Sequence, residues 1–173
     1  MQIKVVITGS NGLLGQNLLG LFLNEKENYE VFGFSRSNNR SGREDFTYVD
    51  VDITNQTKLK EELLKIQPDF IINTAAMTNV DACENDREGC YDLNVNTVQY
   101  LTAICSEINA HLIHISTDFI FDGEKGNYSE EDVPNPLSYY GETKLMSEKI
   151  LQESTIDYTI LRTILVYGLV NDM

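Results

Sequence analysis

Tryptophan is absent from this chain, and cysteine, histidine and proline are scarce, with three, two and three copies among 173 residues. Cys83, Cys90 and Cys105 are odd in number and form no Cys-x-x-Cys pair, so neither a disulfide framework nor a zinc site is signalled; they read as reduced bystanders. His111 and His114 sit in an apolar segment with no carboxylate spaced to join them at a metal, and are expected to be core or sheet-edge histidines. Basic residues are also short: 13 against 27 acidic ones give a net charge of −14, which excludes nucleic acid and anionic membrane surfaces as natural partners. Any phosphate must then be held locally. No stretch approaches the roughly 18 consecutive apolar residues of a spanning helix. No basic leader with an apolar core precedes the first strand pattern. A cytoplasmic protein is the expectation.

What is present is alternation. Ile3–Thr8 is a nearly continuous apolar run that stops at glycine, as a strand buried on both faces of a parallel sheet does. Leu14, Leu18, Leu19, Phe22 and Leu23 then recur at helical spacing up to the polar stretch Asn24–Asn28. Further strands are predicted at Tyr29–Phe34, Phe46–Val51, Asp69–Thr74, His111–Ser116 and Tyr158–Thr163, with helices near 56–66, 87–108 and 138–154. This order predicts an α/β fold, a doubly wound parallel sheet in one domain over residues 1–173. No interdomain linker, internal repeat or low-complexity tract interrupts it. Ligands of such sheets bind beyond the carboxyl ends of the strands, which directs attention to strand ends.

The first strand end carries Thr8-Gly9-Ser10-Asn11-Gly12-Leu13-Leu14-Gly15. Gly9 permits a tight turn, Gly12 lets backbone approach a pyrophosphate, and Gly15 allows close helix-on-strand packing, while the helix start supplies amides and a positive dipole end. Placed between a predicted strand and an amphipathic helix, the motif reads as a dinucleotide cradle, with Asn11, Leu13 and Leu14 in its loop and first turn. The second strand runs into Ser35-Arg36, where a carboxylate for the adenosine ribose commonly stands. Arg36 can pair with a 2′-phosphate and Ser35 can donate to it, which favours NADPH over NADH; the plainer alternative is a solvated loop arginine. Asp52-Ile53, after the third strand, can bond an adenine amino group and pack on its ring, or merely supply turn chemistry.

Ser116-Thr117-Asp118 closes the fifth predicted strand, and Tyr140 and Lys144 lie four apart at the start of the next long helix. That spacing puts both on one helical face, where an ammonium can lower the tyrosine pKa and reach the nicotinamide ribose. Such a tyrosine protonates a developing alkoxide as hydride arrives, and the Thr117 hydroxyl fixes the carbonyl oxygen.

These residues resemble the extended short-chain dehydrogenase/reductases, and within them the dTDP-4-dehydrorhamnose reductases. The resemblance spans nearly the whole chain and rests on the segments running from Asn73 to Glu84, from Ser116 to Gly123 and from Pro134 to Lys144. It implies Thr117, Tyr140 and Lys144 as the catalytic triad, Ala75 and Ala76 as lining of the cofactor channel, and Asn94 near the cofactor. The implied reaction is NADPH-dependent reduction of the 4-keto group of dTDP-4-dehydro-L-rhamnose, with a nucleotide sugar as partner and a homodimer left open. Two departures bear on the sugar. Phe119 stands where these reductases often have tyrosine, and Leu165 where they have a tryptophan, which changes the shape of any pocket built there. These enzymes also continue past the last strand into a substrate lobe that is largely absent here, so the chain is expected to be part of a longer two-lobed enzyme that turns over substrate poorly by itself.

Two other readings share the motifs: a nucleotide-sugar epimerase or dehydratase retaining NAD, and a non-catalytic NADP-binding subunit such as the β subunit of methionine adenosyltransferase, which resembles the same reductases. Glu130, Glu131 and Asp132 read as a solvated acidic cluster, and Asp81 and Glu84 as helix-start chemistry.

Overall fold

The computed structural model describes residues 2–169. Six strands form one all-parallel sheet: β1 (Ile3–Thr8), β2 (Tyr29–Ser35), β3 (Thr47–Asp50), β4 (Phe70–Asn73), β5 (His111–Thr117) and β6 (Tyr158–Thr163), in the spatial order β3-β2-β1-β4-β5-β6. The order reverses between β1 and β4, which opens a crevice at the carboxyl ends of those two strands. This is a Rossmann-type α/β fold, as the strand-helix alternation predicts.

The central strands β1, β2 and β4 carry two apolar faces because both sides of the sheet are covered there. In β1, Val6 points to the side where α2 (Gln56–Ile66), α5 (Thr97–Ile108) and α6 (Tyr139–Gln152) contribute Leu59, Leu63, Leu101 and Leu151. Its neighbours Val5 and Ile7 point to the opposite side, against Leu19 and Leu23 of α1 (Leu13–Leu23). Burying each such side chain contributes about 1.5–3 kcal/mol.

Helix ends follow their side chains. The Asn55 carboxamide accepts from Lys58 N to start α2, and Ser138 Oγ accepts from Gly141 N to start α6. The helical pattern predicted over 87–108 is present but interrupted: α4 (Arg87–Tyr91) passes into a π-helical turn at Asp92–Asn96 before α5. That turn widens the helix so that Asn94 faces inward, fully buried, with its amide donating to Met77 O at 3.1 Å and Thr143 Oγ1 at 3.1 Å. A short helix, α3 (Val80–Asn85), precedes it. Among the described residues, no helix is long and apolar enough to cross a membrane.

Candidate functional site

A cleft runs along the carboxyl ends of the strands in two halves that share Gly12, Thr74 and Ala76. The first half, about 440 Å3, is bounded by Gly9, Ser35, Arg36, Asp52, Ile53 and Ala75. The second, about 430 Å3, is bounded by Leu13, Leu14, Gly15, Thr117, Tyr140 and Lys144. Residues spread over the chain thus meet in one groove.

The cradle has the geometry its glycines predict. Gly9 sits at φ +68°, and a Cβ there would lie 2.9 Å from both Ala75 N and Thr74 Oγ1. A Cβ on Gly15 would press on the Gly9 carbonyl and stand 2.7 Å from Ser10 Cα, so α1 can approach β1 only without it. Gly12 is the N-cap of α1; it supplies no side-chain cap, and no acidic residue occupies the first turn. An uncapped, acid-free helix start beside bare backbone fits a pyrophosphate. Asn11, by contrast, lines neither half. Its side chain donates to Asn38 O at 3.0 Å and accepts from Arg40 N at 2.9 Å, so it fastens the loop after β2 and shapes the cradle from behind.

At the end of β2, the Arg36 side chain is 72% exposed and stands 3.8 Å from Asp52 Oδ2, a loose pairing that leaves most of the guanidinium to solvent. Asp52 Oδ1 accepts from Thr54 N at 3.0 Å and Thr54 Oγ1 at 2.8 Å, so turn chemistry already occupies that oxygen. Ile53 is buried beneath.

The other half joins the buried polar groups Thr117, Tyr140 and Lys144 to exposed apolar side chains such as Phe119 and Leu165. Tyr140 and Lys144 lie on one face of α6, and Thr117 at the end of β5 caps the following turn by accepting from Phe119 N at 3.2 Å. Lys144 does not meet the expectation attached to it. Its Nζ donates to Ile115 O at 2.7 Å and lies 3.0 Å from His114 Nε2, turned toward β5. Burial lowers the Lys144 pKa to about 8, with the charge of Glu148 pulling the other way. Burial raises the Tyr140 phenol, and the nearby Thr117 hydroxyl opposes it. The lowering of Tyr140 by Lys144 anticipated from their spacing is therefore not found: sharing a helical face does not make two side chains point at each other.

Asn94 also stands differently from expectation, behind the cleft and not in it. Its Oδ1 accepts from Met77 N at 2.8 Å, holding the backbone that follows Ala75 and Ala76. Two carboxylates support the site from behind. Glu148, fully buried, accepts from Ser116 Oγ and from Arg162 of β6 at 2.8 Å. Asp81 stands in the first turn of α3 as expected, whereas Glu84 lies near the end of that helix and accepts from Tyr139 N at 2.8 Å, so it serves the start of α6 and not of its own helix. The signal of Glu148 was faint, since a buried polar stripe on α6 has the same spacing as a solvated one. Of the acidic cluster, Asp132 accepts from Lys125 and from Ser129 N. His111 is half-buried with Nε2 2.9 Å from Thr159 Oγ1.

Residues 3–172 match the RmlD substrate binding domain family. The chain belongs to that family. As a member of the RmlD family it is 36% identical over 166 residues to a dTDP-4-dehydrorhamnose reductase of Aggregatibacter actinomycetemcomitans, covering 95% of this chain and 52% of that protein. It is 34% identical over 165 residues to the methionine adenosyltransferase 2 subunit beta of Bos taurus, covering 95% of this chain and 47% of that one. A solved dTDP-4-dehydrorhamnose reductase from Bacillus anthracis, in complex with NADP, superposes with a TM-score of 0.84 at 31% identity, covering 98% of this chain and 56% of that structure. The chain thus spans about half the length of the curated relatives it matches.

Proposed function

We propose that this RmlD-family chain is the dinucleotide-binding part of a longer reductase that uses NADPH to reduce the 4-keto group of a nucleotide-linked deoxysugar, dTDP-4-dehydro-L-rhamnose being the substrate that fits best. The observation that carries this reading is the convergence of Thr117, Tyr140 and Lys144 in the same groove as the glycine cradle. Gly9, Gly12 and the first turn of α1 would hold the pyrophosphate, Ser35 and Arg36 the 2′-phosphate, and Ile53 with Ala75 the adenine side of the groove. Bound there, the cofactor supplies the hydride. The chain's own residues do the rest. Thr117 orients the keto oxygen, Tyr140 gives up its phenolic proton to the oxygen as negative charge develops, and Lys144 would reach the nicotinamide ribose hydroxyls.

The shielded setting of Tyr140, 8% exposed, keeps the phenol protonated and ready to donate. The similarity to a methionine adenosyltransferase subunit supports a second reading, a nucleotide-binding module without turnover. Titration of the chain with NADPH and NADH, followed by nicotinamide fluorescence, tests the first step. Tighter NADPH binding is expected, whereas equal or NADH-favoured binding moves an NAD-retaining epimerase or dehydratase to first place. Tyr140→Phe in the complete protein then separates enzyme from module: binding persists in both cases, and keto-sugar reduction disappears only if there was catalysis to lose.

A further inference from the structure

A row of polar side chains crosses the centre of the sheet where neighbouring positions are apolar. Thr8, Asn73 and His114 are register partners on β1, β4 and β5, on the face that carries Val6, Ile71 and Leu112, and all three are buried. Thr8 Oγ1 donates to Asn73 Oδ1 at 2.6 Å. That bond turns the amide nitrogen of Asn73 toward His114 Nδ1, 3.1 Å away. Nδ1 must then accept, and the ring proton belongs on Nε2. Two atoms face Nε2 at 3.0 Å: Ser147 Oγ, whose own proton goes to Lys144 O, and Lys144 Nζ.

A protonated Nε2 is compatible with Lys144 as an amine, which offers a lone pair, and incompatible with an ammonium, which has only hydrogens to present. Charging Lys144 therefore requires the ring proton to move to Nδ1, the Asn73 amide to turn over, and Thr8 Oγ1 to become the acceptor. We propose that His114 is the positioning residue of Lys144: the nitrogen that carries its ring proton decides whether Lys144 stands in the cleft as amine or ammonium, and Thr8 with Asn73 holds the tautomer that favours the amine. The row ends beside Gly9, so it ties the charge at the catalytic end of the cleft to hydrogen bonding at the cradle. Other charged or titratable groups around Lys144 are Tyr140 and Glu148 on α6, Cys90 on α4, and Arg162 on β6, which acts through its pairing with Glu148. His114 itself stays neutral, its pKa held well below the ordinary range by burial and by Lys144.

The inference rests on Lys144 belonging to the proposed active site, but its test needs no nucleotide. The chain has only two histidines, so long-range nitrogen–proton NMR of the imidazoles gives two ring patterns, assigned with His111→Asn. As the pH falls through about 8, the His114 ring is expected to remain neutral while its proton passes from Nε2 to Nδ1. In Lys144→Met the ring should stay in the Nε2 tautomer at every pH. A wild-type ring whose tautomer never changes overturns the proposal, as does a step that survives in Lys144→Met; the wild-type measurement decides even if the variant does not fold. Loss of NADPH preference would sink the reductase reading and leave this result standing, and a fixed tautomer would do the reverse.

Discussion

The two halves of the cleft solve opposite problems. Where the adenosine end is proposed to lie, Arg36 and Asp52 are 72% and 45% exposed, open to solvent. Behind the end where catalysis is proposed, Lys144, Glu148 and His114 are 1% exposed or less, and every polar atom must find its partner within the protein. Exposed charges can be exchanged at small cost. Buried ones are bound into a network in which removing one member strands another.

The largest expected effect comes from breaking that network. Glu148→Ala leaves Arg162 and Ser116 without their shared acceptor, and urea unfolding should show a loss of about 3–5 kcal/mol. A loss under about 1 kcal/mol would erase the contrast between the halves. Next is Lys144→Met. Folding lowers the Lys144 pKa from the ordinary 10.5 to about 8, so between those values the unfolded chain holds a proton that the folded chain has released. Wild-type stability therefore rises with pH across that window relative to the variant, by about 3 kcal/mol in total. Unfolding curves at both ends of the window read the difference, and parallel curves would mean that Lys144 keeps its charge when folded.

Smaller is Gly9→Ala, which forces a Cβ into the left-handed region and against Ala75 N. About 1–3 kcal/mol of stability should go, together with nucleotide binding. Smallest is Arg36→Ala on the exposed side: NADPH affinity should fall about tenfold, NADH affinity should stay within about twofold, and added salt should shrink the gap. A stability change in this variant would show that the open half is less open than its exposure indicates.

Much of this architecture was legible beforehand because it is local. Ile3–Thr8 and Tyr158–Thr163 were readable to the residue, and α2 likewise, since apolar runs bounded by turn residues are written along one stretch of chain. The cradle was readable because glycine is required wherever a Cβ collides. The π-helical turn was not: the spacing of 87–108 suits an uninterrupted α-helix, and only the pull of Asn94 toward Met77 and Thr143 decides otherwise. His114 is buried, as its apolar segment predicts for a core histidine, but nothing near it in the chain names Asn73 or Lys144 as its neighbours.

By itself, then, the order of residues determined which segments are strands and helices, where a phosphate can approach the backbone, and which hydroxyl, phenol and amine are available for chemistry. Those are properties of short segments. The tertiary structure alone decided that Thr8, Asn73 and His114 share a rung and that Lys144 turns to His114 instead of Tyr140. It also decided that Asn94 supports the cleft wall from behind. Partnership between buried polar groups depends on which strands lie side by side and in what register, and both are settled by packing the whole sheet against its helices.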